Sequence, residues 1–139
     1  MTLIPVLLVN DNPAFLRMAT RFLQEHCGNV VVVAGVAVGG EEALVKAQDL
    51  RPEVVLLDLA MPDLPGLEVI PRLRAALPEV GIVVLTLLDV AAYRQAALEA
   101  GADGFVSKAT LGTDLLPAIQ QAVQARSSRR KPGEGHIVV

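Results

Sequence analysis

Strand-like runs in this chain are apolar from end to end, and each is followed by a segment of helical character. Val54-Val55-Leu56-Leu57 is the clearest of them. A half-exposed sheet would alternate polar and apolar positions; continuous runs belong to strands buried on both faces, which requires helices on both sides of a parallel sheet. The runs fall at 4–9, 30–37, 54–58, 81–85 and 104–107, and the helical segments at 13–27, 41–48, 66–77, 89–100 and 111–125. Pro5 is tolerable near the start of the first strand, Asn12 caps the first helix ahead of Pro13, and Gly101 stands where a left-handed C-cap is wanted. Leu115, Leu116, Ile119 and Val123 recur at helical spacing in the last segment. Five right-handed β-to-α units predict α/β architecture: a doubly wound five-stranded parallel sheet, order 2-1-3-4-5, in a three-layer sandwich.

Composition agrees. At 139 residues, 53% hydrophobic with 3% aromatics and no Trp, the chain suits one domain with interior parallel strands and close helix–sheet contacts. The longest apolar stretch, 30–38, contains Gly35 and is too short to cross a bilayer, and the N-terminus lacks the basic region and cleavage site of a signal peptide. The reading is a soluble, cytoplasmic protein with no membrane partner. Lone Cys27 is a small apolar filler, and neither His26 nor His136 has a partner at ligand spacing. A net charge of −3 argues against direct nucleic-acid binding. The basic cluster at 126–131 lies in a segment rich in Ser, Arg, Lys, Pro and Gly. The chain divides accordingly into a domain at 1–125 and a flexible tail or linker remnant at 126–139, whose residues 137–139 could dock or pair as an edge strand.

In this strand order the chain reverses direction between strands one and three, and ligands of open α/β sheets bind at such a crevice. Asp11 and Asp58 meet across it, while Thr86 and Lys108 arrive from the ends of strands four and five. A carboxylate can attack a phosphoryl group if the repulsion between the two anions is relieved. Mg²⁺ (or Mn²⁺) does so with few protein ligands because it keeps several waters. Asp11, Asp58 and the backbone carbonyl of Ala60 are the candidate metal ligands. Lys108 would pair with one phosphoryl oxygen, and the Thr86 hydroxyl would donate to another. Plainer readings stand beside these: Asp58 as a loop cap, Asp11 as a helix cap, Thr86 as a packed strand residue, Phe105 as a core aromatic, Lys108 as a solvated lysine.

The elements Leu-Leu-Val-Asn-Asp at 7–11, Val-Val-Leu-Leu-Asp-Leu-Ala-Met-Pro at 54–62, Gly-Leu-Glu at 66–68, Val-Leu-Thr at 84–86 and Gly-Ala-Asp-Gly-Phe-Val-Ser-Lys at 101–108 occur in one order over about residues 3–125. In this the sequence resembles a two-component response-regulator receiver domain, of flavodoxin-like (CheY-like) fold. Its wording around Lys108 is most similar to receivers that precede a helix-turn-helix output domain. The resemblance implies Asp58 as phosphoacceptor, Asp11 as metal-binding acid, Lys108 as the site lysine, Thr86 as switch hydroxyl and Phe105 as switch aromatic. It implies a histidine kinase or phosphotransfer protein as partner. It also implies a changeable surface on helix four, strand five and helix five through which a homodimer could form, with Tyr93, Leu115 and Ile119 as candidate contacts, beside the plainer reading that they are buried. Such a protein is a signalling switch that catalyses its own modification, not a metabolic enzyme.

Departures from the pattern carry their own expectations. Asn10-Asp11 replaces the usual acidic pair, so Asn10 is a supporting residue and Mg²⁺ should bind more weakly than in a two-acid site. Ala60 and Leu88 offer no polar group to orient water for hydrolysis, which predicts a long-lived phosphoryl state; bulky Leu87 could narrow access. Asn10 and Leu87 favour an alternative, a phosphorylation-independent pseudo-receiver acting as a binding module. An aspartyl-phosphate phosphatase would need a second acid where Ala60 stands.

Overall fold

The computed structural model describes residues 2–87 and 91–134, with side chains through Arg126 in the last helix. In chain order it contains β1 (Ile4–Val9), α1 (Pro13–Cys27), β2 (Val31–Ala37), α2 (Gly40–Leu50), β3 (Val54–Asp58), α3 (Gly66–Ala76), β4 (Gly81–Thr86), α4 (Ala91–Ala100), β5 (Gly104–Ser107), a 3₁₀ turn (Lys108–Thr110) and α5 (Leu111–Glu134). The five strands form one sheet in the order β2-β1-β3-β4-β5, every pairing parallel. Strand parity explains the unbroken apolar runs. Val6, Leu8, Val54, Leu56, Val83 and Leu85 face the layer containing Leu16 and Leu23 of α1 and Leu115 and Ile119 of α5. Their neighbours Leu7, Val9, Val55, Leu57, Ile82 and Val84 face Ala43 of α2, Val69, Ile70 and Leu73 of α3 and Ala97 of α4. Each fully buried Leu or Ile contributes roughly 1.5–3 kcal/mol relative to exposure, so central strands offer no place for a polar residue before their ends.

Local signals act as read. Asn12 caps α1 by accepting the N–H groups of Ala14 (2.9 Å) and Phe15 (3.3 Å), with Pro13 in the first turn. Gly101 takes φ +118°, and the N–H groups of Gly101 and Ala102 return to the carbonyls of Leu98 and Ala97. Boundaries differ from expectation at β2, α2, α3 and β4 by one or two residues, the usual fraying of element ends. A larger difference is α5, which runs to Glu134 and not to 125, because the Ser, Arg and Lys residues after Ala125 present no obstacle to helical backbone. The suggested pairing of 137–139, His136, the expected start of α4 at Asp89 and the position of Leu88 lie outside the described residues. Among the described residues no helix is long and apolar enough to cross a membrane.

Candidate functional site

Strand register alone lays the site residues along one edge of the sheet. Val9 stands opposite Leu57, so Asn10 and Asp11 leave β1 beside Asp58. Asp58 is level with Leu85, one residue before Thr86, and Thr86 is level with Ser107, one residue before Lys108. Lys108 Nζ lies 3.5 Å from Asp58 Oδ1, and the Asp11 charge is near enough to act on the Asp58 carboxyl. Asp58 (6% exposed) and Thr86 (1%) are buried at their strand ends, whereas Asp11 is exposed at the rim. With Asn12 at the N-cap, Asp11 is not needed to cap α1.

Burial is the largest influence on Asp58 and pushes its carboxyl above its ordinary pKa. Lys108 draws it back down by charge and hydrogen bond, Asp11 pushes it up, and the N–H of Ala60 draws it down by donating to it. Because the folded chain holds this proton more tightly than the unfolded one, stability falls as pH rises from the ordinary carboxylate pKa through the raised one. Asp58→Asn removes that penalty. The variant is expected to exceed wild type by about 1 kcal/mol at neutral pH, a usual gain when a destabilised functional group is neutralised. Urea melts at several pH values should show the gap closing on acidification; a pH-independent gap would exclude the buried charge as its cause. Asp63 and Glu42, both held low mainly by backbone N–H donors, act with the opposite sign and lose their contribution as pH falls through their depressed pKa values.

Asn10 is 1% exposed, and its Oδ1 accepts the N–H of Asn12 at 2.8 Å while its Nδ2 is buried without a partner. It braces the loop after β1. Among the described residues no three His, Cys, Asp or Glu side chains gather into a metal cluster. The oxygen donors at hand are the Asp11 and Asp58 carboxylates and backbone carbonyls such as that of Ala60, on the loop after β3. Two carboxylates with a carbonyl suit a hard divalent cation that retains water, and not zinc or another cation that wants nitrogen and sulfur.

Around this centre the structure adds contacts that sequence reasoning missed. The Phe15 ring of α1 lies under Lys108 Nζ at 4.1 Å from its centroid. Asp63 accepts the N–H groups of Gly40 and Glu41, both at 3.1 Å, tying the loop after β3 to the start of α2. Arg94 of α4 covers the Phe105 ring at 4.7 Å. Phe105 is only 9% exposed and packs in the core beside β4 and α4, as an apolar ring without a hydroxyl should. Leu87 is 75% exposed, so its bulk stands in solvent. Of the three expected surface contacts, Tyr93 is exposed (40%), but Leu115 and Ile119 are fully buried and must be corrected to core. Their helical spacing marks the face of α5 that covers the sheet, not the face turned outward.

Residues 6–120 match the family model described as "Response regulator receiver domain". The response regulator GacA of Pseudomonas protegens is 36% identical over 118 residues, 85% of this chain and 54% of that protein. VraR, a response regulator protein of Staphylococcus aureus, is 31% identical over 126 residues, 89% of this chain and 58% of that protein. The chain thus spans about half the length of the curated relatives it matches. The crystal structure of a LuxR-family two-component response regulator from Aurantimonas superimposes with a TM-score of 0.82 at 26% identity, over 90% of this chain and 88% of that one.

Proposed function

The chain belongs to the response-regulator receiver family of two-component signalling, and from that premise we propose that it is a phosphorylation-driven switch with Asp58 as phosphoacceptor. The observation that carries this reading is the 3.5 Å approach of Lys108 Nζ to a buried Asp58 carboxylate at the switch point of the sheet. A histidine kinase or phosphotransfer protein, or a small acyl phosphate, is the donor. One Asp58 oxygen forms a bond to phosphorus while the bond from phosphorus to the donor's nitrogen or oxygen breaks; the leaving group keeps the electron pair and, if imidazole, takes a proton. Asp11, Asp58 and the Ala60 carbonyl would hold Mg²⁺ (or Mn²⁺), which when bound neutralises the anions that meet there. Lys108 pairs with a phosphoryl oxygen and the Thr86 hydroxyl donates to another. With Phe105 already packed inward, the change falls on the loop after β4 and on the outer face of α4, where Tyr93 and Leu98 are exposed (40% and 44%). The face made by α4, β5 and α5 is then the partner or homodimer surface. In this reading the protein is cytoplasmic and a signalling protein rather than a metabolic enzyme. Residues 1–125 act as receiver and 126–139 as linker, with no direct nucleic-acid contact.

Incubation with acetyl phosphate and Mg²⁺, followed by intact-mass spectrometry, is expected to add one phosphoryl group to wild type and none to Asp58→Asn. Equal labelling of both would move the acceptor elsewhere. The buried, unpartnered amide of Asn10 favours a second reading, a pseudo-receiver that keeps the fold and the partner surface alone. Absence of labelling in wild type, with no response to beryllofluoride and Mg²⁺, would decide for it.

A further inference from the structure

We propose that Phe15 is a positioning residue that holds Lys108 at the phosphoacceptor through its aromatic face. The inference rests on Asp58 being phosphorylated and adds a residue to that machinery. Among the described residues Lys108 Nζ has two partners, Asp58 Oδ1 at 3.5 Å and the Phe15 ring at 4.1 Å from its centroid. The lysine side chain is only 14% exposed, so little water is left to compete. A lysine has a flexible four-carbon stem that favours solvent. A carboxylate on one side and a π-face on the other fix its ammonium where a phosphoryl oxygen will arrive, before that oxygen is there. Ordering that would otherwise oppose binding is then already complete.

The ring is itself set by a chain of contacts from β1. Asn10 Oδ1 accepts the N–H of Asn12, Asn12 Oδ1 accepts the N–H of Phe15, and the ring packs partly buried against the core layer beneath α1. Asn10 thereby serves the same lysine at second hand.

Fluorination weakens the negative face of the ring while nearly preserving its shape, so it separates electrostatic positioning from packing. Mono-, di- and trifluorophenylalanine placed at position 15 are expected to raise the beryllofluoride dissociation constant stepwise in the presence of Mg²⁺. The whole series should span about tenfold, the size of one largely desolvated cation–π contact. The same series at Phe22, whose ring lies tilted at 5.0 Å from that of His26 on the same helix, should leave the constant unchanged. Phe15→Leu, melted alongside, should lose at least as much affinity as the trifluoro variant. A flat response at position 15, with wild type binding normally, overturns the role of Phe15 and leaves the phosphoacceptor reading standing. Failure of wild type to bind beryllofluoride or accept phosphate removes that reading, and this inference with it.

Discussion

Gly66→Ala is expected to lower stability by about 3 kcal/mol, at the upper end for an overpacked site, although helix propensity alone favours alanine by about 1 kcal/mol. Gly66 is the first residue of α3, and its N–H donates to the carbonyl of Leu59 at 3.0 Å. A Cβ there would meet the carbonyl oxygen of Asp58 at 2.5 Å and Cα of Leu59 at 2.7 Å. Both obstacles are backbone, so neither can rotate away. Either α3 backs off the sheet and loosens Val69, Ile70 and Leu73, all fully buried, or the main chain at Asp58 shifts. The second response reaches the chemistry, because a displacement of about 1 Å in a reacting group can cost roughly a hundredfold in rate. Acetyl phosphate labelling should therefore slow in Gly66→Ala far more than the folded fraction explains. An alanine variant as stable as wild type in urea would show that the helix relaxes without strain.

The architecture was open to inspection in the sequence because it rests on local information. Apolar runs without alternation specify strands buried on both faces, and the crossover rule then leaves few strand orders. Asn12 and Gly101 act through their own backbone neighbourhoods, so their residue types suffice. Asp58 was visible for the same reason: a carboxylate that ends an apolar run has to lie at the edge of the sheet. What could not be read depends on pairings between distant elements. Phe15 and Lys108 are far apart in the chain and meet only after β1 and β5 enter one sheet with α1 beside them. Whether Leu115 and Ile119 serve a surface or the core is not legible either, because helical spacing identifies an apolar face without saying what that face touches. Asp63 had no signal of its own: its partners, the N–H groups of Gly40 and Glu41, lie more than twenty residues away at the start of α2.

Arg74 tests the same distinction at the opposite edge of the sheet from Asp58. One side chain on α3 donates to the carbonyls of Pro78 and Val80 in the loop before β4. It also reaches the carbonyl of Gly101 at 2.6 Å and Asp103 Oδ2 at 3.2 Å in the turn before β5. Asp103 Oδ2 in turn accepts the N–H of Ile82 at 2.9 Å. The pair is largely buried, with side-chain exposures of 22% and 10%. Arg74→Met keeps the aliphatic stem but withdraws the donors, leaving a carboxylate and several carbonyls in a place that water reaches poorly. Breaking a buried pair from one side usually costs about 3–5 kcal/mol, and some remaining exposure places the expected loss near 3 kcal/mol. Arg74→Lys should recover little, since one ammonium cannot serve carbonyls on both sides as the guanidinium fork does. The double variant Arg74→Met/Asp103→Asn should lose clearly less than the sum of the single losses, because the second change removes the charge whose guanidinium partner the first withdrew. Beryllofluoride affinity should be unchanged in the folded fraction, as none of these partners of Arg74 belongs to the Asp58 site. Additive losses in urea would mean that the two residues act separately, and a loss below about 1 kcal/mol would reduce Arg74 to an ordinary surface arginine.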